Sequence, residues 1–298
     1  MKYRVLGRTN LRVSVIGIGT WQLGGEWGRN YTQREVDVMF ARARELGMNL
    51  IDTAECYGDH LSEQLIGSAI HAHRADWIIA TKFGHKFHGN MNRTEPRSPA
   101  DVQKQLDDSL LALRTDYIDI YQYHSWGDDQ FFDGAVQAVL EKAKSAGKVR
   151  HLGNSVGGGI DPIKQIQASK QKQIEVVQII YNRLDRRPEQ GAFKICHDQN
   201  LGVFARVPLA SGYLTGKYKP GAKFDPSDHR ARAEAEKRDA KIAEARQIIK
   251  NEVPPGVEPA QWALAWCLRN PAVTAVIPGC KDVKQVEDNA KASELLAD

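Results

Sequence analysis

Eight short apolar runs of β type alternate with helical patterns along nearly the whole chain, and this rhythm restricts the fold more than any other feature. The runs are VSVIGIG (13–19), NLIDTA (49–54), WIIATKFG (77–84), YIDIYQYH (117–124), VRHLGNS (149–155), EVVQIIYN (175–182), LGVFARVP (201–208) and VTAVIPG (273–279). Strands that are apolar along most of their length are buried on both faces, as in parallel sheets covered by helices. Eight such units within 298 residues favour a closed (β/α)8 TIM barrel, one domain over 1–298, above an open doubly wound sheet. Helix starts punctuate the intervals. Thr32–Glu35 (TQRE), Ser98–Asp101 (SPAD) and Asp282–Gln285 (DVKQ) read as capping boxes or near variants, and Asp161 is an N-cap before Pro162.

Two segments break the rhythm. YRVLGRTNLRVSV (3–15) reads as a short N-terminal hairpin with its turn at Gly7–Asn10. SGYLTGKYKPGAKFDPSDHR (211–230) is a long loop after the seventh strand, followed by a charged helix near Ala231–Asn251. Loops of that length in a compact domain are usually functional or mobile.

In a barrel of this kind, chemistry belongs at the C-terminal ends of the strands. The second strand ends in Asp52, the third carries Lys82 near its end and the fourth ends in His124. A carboxylate at the end of a buried strand needs a cation, and Lys82 is the candidate. Counting back by twos places Leu50, Ala80, Ile78, Gln122 and Ile120 on the inward face. Tyr57, on the loop after the second strand, can reach the same spot. A free phenol has a pKa of about 10, and an ammonium about 4 Å away is worth roughly 4 kcal/mol, or about three units. Lys82 is therefore expected to bring Tyr57 into a working range, with Asp52 holding it charged. An Asp–Lys pair alone is more often structural, and a lone histidine usually is too; the convergence of four groups points to chemistry.

Composition excludes several classes. A net charge of +4 with no basic stripe argues against nucleic acid, and no apolar run approaches a membrane span. The N-terminus lacks the long apolar core of a secretory signal. Cys56, Cys196, Cys267 and Cys280 are isolated, which reads as reduced thiols in a cytoplasmic protein. The clusters HAH (71–73) and HKFH (85–88) lack a third ligand at metal spacing, so no metal is expected. GIGTWQLGG (17–25) fails as a dinucleotide fingerprint because its glycines are wrongly spaced and no helix opens after it. Lys217, Lys219, Lys223, Lys281 and Lys284 follow the last two strands, where barrels of this type bind phosphate.

Taken together, DTAECYG, the SEQLIG that follows, ATKFG and YQYH resemble the aldo-keto reductase family, over essentially the whole chain. The resemblance implies an NADPH-dependent carbonyl reductase needing neither metal nor flavin. Tyr57 would be the general acid, supported by Asp52, Lys82 and His124. Gly19, Thr20, Trp21 and Asp52 would lie beside the nicotinamide, and Ser155 with Gln178 would hold its carboxamide. The family's usual Ser-Asn pair is here Ser155-Val156, so a polar contact is missing or comes from Asn154 or Asn182. Arg206 stands where relatives carry an aromatic ring on the nicotinamide, and a planar guanidinium can replace it. Pro208, Leu209, Ser211 and Lys217 would wrap the pyrophosphate; Gly279, Lys281, Gln285, Asp288 and Asn289 would hold the adenosine half. Lys281 is the candidate for the 2′-phosphate of NADP+, although Gln285 replaces an arginine of some relatives; Lys223 and Lys284 read as solvated.

Two other functions fit parts of this pattern. Potassium-channel β-subunits resemble these reductases and act mainly as NADPH sensors, but carry an amide where His124 stands here. A Schiff-base mechanism at Lys82 would need a neutral amine, which Asp52 disfavours. The substrate is a small carbonyl compound of unspecified identity, with Trp21, Trp27, Trp126 and Tyr123 available for an aromatic pocket. A short tail ending at Asp298 suggests an open mouth, and oligomeric state is not legible.

Overall fold

A computed structural model describes residues 1–89 and 92–297; Asp298 lies outside the described residues. The chain opens with an antiparallel hairpin, β1 (Tyr3–Val5) and β2 (Arg12–Ser14), joined through a 3-10 turn at Gly7–Thr9. The first apolar run therefore divides. Val13 and Ser14 belong to the hairpin, and only β3 (Ile18–Gly19) enters the barrel sheet. The reason is packing. Leu6 and Val13 are fully buried against Leu50, Ala80, Ile120, Val176 and Phe204, so the hairpin plugs the bottom of the barrel. Gly202 is needed there, because a Cβ would lie 2.4 Å from Leu6 Cδ1.

β4 (Leu50–Asp52) and β5 (Ile78–Phe83) follow β3 in parallel. A small excursion, β6 (Lys86–Phe87) paired with β7 (Arg93–Thr94), stands off the sheet. The sheet continues with β8 (Ile118–His124), β9 (Val149–Ser155), β10 (Ile174–Ile180), β11 (Gly202–Arg206) and β12 (Ala275–Val276). Among the described residues these form one eight-stranded parallel sheet in sequential order. Parallel bridges from Ile16 to Val276 and from Gly19 to Gly279 close it into a (β/α)8 barrel.

Helices α1 (Gln33–Glu45), α2 (Leu61–Ile70), α3 (Pro99–Ala112), α4 (Asp128–Asp133) and α5 (Gln137–Ser145) accompany the first half. The second half carries α6 (Pro162–Gln167), α7 (Ala192–Asp198), α8 (Ala235–Glu252), α9 (Pro259–Leu268) and α10 (Val283–Lys291). Reciprocal capping boxes start α1 at Thr32 and α3 at Ser98. At α10, Asp282 caps the Gln285 N–H, but the Gln285 side chain accepts from the Lys281 N–H instead, so that box is half made. The charged helix begins at Ala235, not Ala231, because a 3-10 turn at His229–Arg232 precedes it. Among the described residues no helix is long and apolar enough to cross a membrane.

Candidate active site

Inside the barrel one layer is apolar: Leu50, Ala80, Ile120, Val176, Phe204 and Ala275. Side chains two residues further along a strand point the same way. That step takes Leu50 to Asp52, Ala80 to Lys82, Ile120 to Gln122, Val176 to Gln178 and Phe204 to Arg206. The strand register thus stacks a polar layer directly on the apolar one, at the C-terminal rim.

Lys82 is buried at the centre of that layer. Its Nζ is 2.8 Å from Asp52 Oδ1, and it donates to the Thr53 carbonyl at 2.7 Å and to the Tyr57 hydroxyl at 3.3 Å. Gln178 Nε2 donates to Asp52 Oδ1 at 3.0 Å, while Gln178 Oε1 is buried without a partner among the described residues. Burial pushes the Asp52 carboxyl up, and the Lys82 ammonium opposes that push. Tyr57 differs from the sequence-based expectation. Burial, followed by the Asp52 carboxylate and the Cys56 sulfur, raises the phenol well above its ordinary pKa. The physical reason is that a phenolate would lose water on entering the pocket, and Asp52 neutralises much of the field of the ammonium meant to help it. His124 moves the other way: burial, then His85, Lys82, Arg206 and Arg93, hold its pKa well below the usual range, so the imidazole is neutral.

These groups open into a cavity of about 510 Å³. Its lining includes the four catalytic candidates Tyr57, Asp52, Lys82 and His124 and the cofactor candidates Gly19, Thr20, Trp21, Ser155, Gln178, Arg206, Pro208, Leu209, Ser211, Lys217, Gly279, Lys281, Gln285, Asp288 and Asn289. Thr20 is tied to the second strand by its N–H and hydroxyl, which both donate to the Asp52 carbonyl, at 3.0 and 2.9 Å. Close approach of this loop to Tyr57 needs Gly24, since a Cβ there would sit 2.6 Å from the Tyr57 backbone carbon. At Gly279 a Cβ would meet the amide end of the flexible Gln22 side chain at 1.6 Å, which would have to swing aside.

Asn154 and Asn182 do not reach the cavity. Asn154 donates to Gln165 Oε1, and Asn182 donates to the Val207 carbonyl at 3.0 Å. What sits beside Ser155 instead is Arg206, whose Nη2 donates to the Val156 carbonyl at 2.9 Å. Beyond it the loop carries unusual backbone: Val207 has φ 55°, and Ala210 and Ser211 are also left-handed. For a β-branched residue this is a genuine outlier, at a cost of about 1–3 kcal/mol, and such strain collects at functional sites. The Asn182 hydrogen bond helps hold it.

The cationic contributions sort cleanly. Lys217 and Lys281 line the cavity, whereas Lys219, Lys223 and Lys284 do not, and Lys284 pairs with Asp288. Of the aromatic candidates, Trp21 and Trp27 line it, with Trp21 stacked near Tyr57 at 6.2 Å. Trp126 and Tyr123 pack on Phe83 in the core instead.

Several lining residues were not assigned to the site beforehand, among them Cys56, His85, Arg93 and Arg230. Cys56 lies within the DTAECYG motif and His85 directly follows ATKFG, so position in the sequence could have flagged them. Arg93 had no local signal. It arrives on β7, bonding Glu26 at 2.6 Å, and Trp21 Nε1 donates to the same carboxylate at 2.7 Å. Arg230 is buried in the long loop and donates to the Tyr218 hydroxyl at 2.8 Å and the Ser211 carbonyl at 3.3 Å; a bridge from Asp228 to Trp27 fastens that loop across the cavity.

Residues 15–298 match the model of the Aldo/keto reductase family, and the chain belongs to that family of oxidoreductases. An aldo-keto reductase of Schizosaccharomyces pombe named for NADP(+) is 29% identical over 96% of this chain and 85% of its own length. A protein of Escherichia coli described as an NADH-specific methylglyoxal reductase is 28% identical over 99% of this chain and 94% of its own. The holo form of an aldo-keto reductase of Bacillus halodurans superposes with a TM-score of 0.82 at 29% identity, over 99% of this chain and 91% of that one.

Proposed function

We propose that this aldo/keto reductase reduces aldehydes and ketones to alcohols with NADPH, Tyr57 donating the proton. One observation carries the reading: Lys82 Nζ bridges the Asp52 carboxylate at 2.8 Å and the Tyr57 hydroxyl at 3.3 Å, at the floor of the cavity. Because Lys82 donates to the phenolic oxygen, the phenol's own hydrogen is left for a substrate. Its raised pKa keeps Tyr57 protonated at neutral pH, as a general acid in the reductive direction must be. It gives up that proton only as negative charge builds on the carbonyl oxygen, and the adjacent ammonium then compensates the phenolate. Neutral His124 can direct a ring N–H at the same oxygen and so orient it. The rings of Trp21 and Trp27 cover this corner and limit water.

The cavity suits a nicotinamide dinucleotide. The orphaned Gln178 Oε1 is an acceptor matched to a carboxamide N–H, and Gly279, which has no side chain, lines the cavity with backbone. Bound there, reduced nicotinamide supplies the hydride for the carbonyl carbon. Gly19, Thr20, Trp21, Asp52, Ser155, Gln178 and Arg206 would hold that end; Pro208, Leu209, Ser211 and Lys217 the pyrophosphate; Gly279, Lys281, Gln285, Asp288 and Asn289 the adenosine. The two relatives named for a cofactor differ, NADP(+) in one and NADH in the other. Lys281 at the adenosine end favours the extra phosphate of NADP+ in this chain.

Tyr57→Phe tests the assignment. The expected result is a fall in kcat/KM of about 10²–10⁴-fold with an aldehyde panel, with NADPH still bound by fluorescence titration. Turnover near that of the parent would remove Tyr57 from the role.

A further inference from the structure

We infer that Cys56 is a positioning residue that holds the His124 imidazole in a single tautomer, with its proton on Nε2. The inference rests on the carbonyl-reductase reading for its consequence, although not for its geometry. Cys56 Sγ lies 3.6 Å from His124 Nδ1, both groups lining the cavity beside Tyr57. A neutral imidazole carries one N–H, and whatever bonds one ring nitrogen decides where that hydrogen goes. The contact has two readings. Either the thiol donates to a bare Nδ1, or Nδ1–H donates to sulfur and leaves Nε2 bare.

The surroundings decide between them. Arg93, held by the Glu26 carboxylate at 2.7 Å, lines the cavity together with Cys56, and its positive charge acts on the Cys56 sulfur. A guanidinium offers the thiol no acceptor, and its charge favours an S–H that points away from it, toward Nδ1. Burial keeps the thiol protonated and therefore a donor. The result is a chain from Glu26 through Arg93 and Cys56 to His124, ending in an Nε2–H available to the cavity. For carbonyl reduction this is the useful tautomer, since a bare Nε2 would repel the oxygen it has to orient.

The same corner offers a sulfur, a ring nitrogen and a Glu55 oxygen within 4.8 Å of one another, the makings of a metal site. Lys82, Arg93 and Arg206 all act on His124 there, and these cations favour a hydrogen-bond chain over a bound divalent ion.

The test is the protonation pattern of His124 in the full chain labelled with ¹⁵N-histidine, with NADP+ added, read from long-range ¹⁵N–¹H spectra. The parent should show hydrogen on Nε2. Cys56→Val removes the donor and should move hydrogen onto Nδ1, lowering kcat about tenfold while the KM for NADPH holds, the size of one lost hydrogen bond. Cys56→Ser keeps a donor and should restore both tautomer and kcat. Hydrogen on Nδ1 in the parent overturns the inference, as does a Cys56→Val variant with the parent's tautomer, or a Cys56→Ser variant as impaired as Val. If Cys56→Val does not fold, the parent and serine spectra still decide. Tyr57→Phe decides the reductase reading separately, so a chain with Nε2–H at His124 but no carbonyl reduction would fail that reading alone.

Discussion

Asp52, Lys82 and Gln178 each lie two residues beyond an apolar side chain of the barrel's inner layer, whereas His85, Arg93 and Arg230 reach the same cavity from excursions between the barrel strands. The first set is placed by pleat and register, which leave each side chain one direction to point. The second is placed by contacts between segments far apart in the chain, such as Arg93 with Glu26 and Asp228 with Trp27. The strand-end set is also closely coupled: one ammonium touches a carboxylate, a backbone carbonyl and a phenol. Damage there should therefore reach both folding and chemistry, while damage at the cofactor end should affect binding alone.

Lys82→Met is the most severe way to break this contrast. It leaves Asp52 buried without its cation, a loss of about 3–5 kcal/mol of stability by denaturant unfolding, together with loss of carbonyl reduction. Adding Asp52→Asn should recover much of the stability and none of the activity. A single variant as stable as the parent would mean that the pair does not anchor the strand ends.

Lys281→Ala sharpens the other side. It should weaken NADPH about tenfold, the scale of one charge-assisted contact, leave NADH binding unchanged and shift unfolding by less than about 0.5 kcal/mol. Lys284→Ala, where the ammonium lies outside the cavity and pairs with Asp288 at its edge, should change neither. Equal losses for both cofactors would remove Lys281 from the phosphate.

A pH-dependent contrast concerns Glu55, whose carboxyl takes a hydrogen bond from the His85 N–H and is pushed up by burial to about 8. The unfolded chain gives up this proton near the ordinary carboxyl range while the folded chain keeps it. Stability should thus decline as pH rises from about 4.5 to about 8, and Glu55→Gln should flatten that slope in thermal melts across pH. An unchanged slope in the variant would assign the pH dependence to other groups.

The sequence by itself determined the barrel, because short apolar runs and capped helix starts are local patterns with local causes. It also determined Asp52, Lys82 and His124 as strand-end groups, since register converts position in a run into position on the rim. Other features needed the folded chain. The first apolar run split because Leu6 and Val13 had a barrel bottom to fill, a demand invisible from within the run. The phenol's pKa moved opposite to expectation because desolvation depends on what surrounds Tyr57, while the sequence names only its nearest charge. Arg93 at Cys56, and Cys56 at His124, are encounters between loops, and only tertiary structure decides which loops meet.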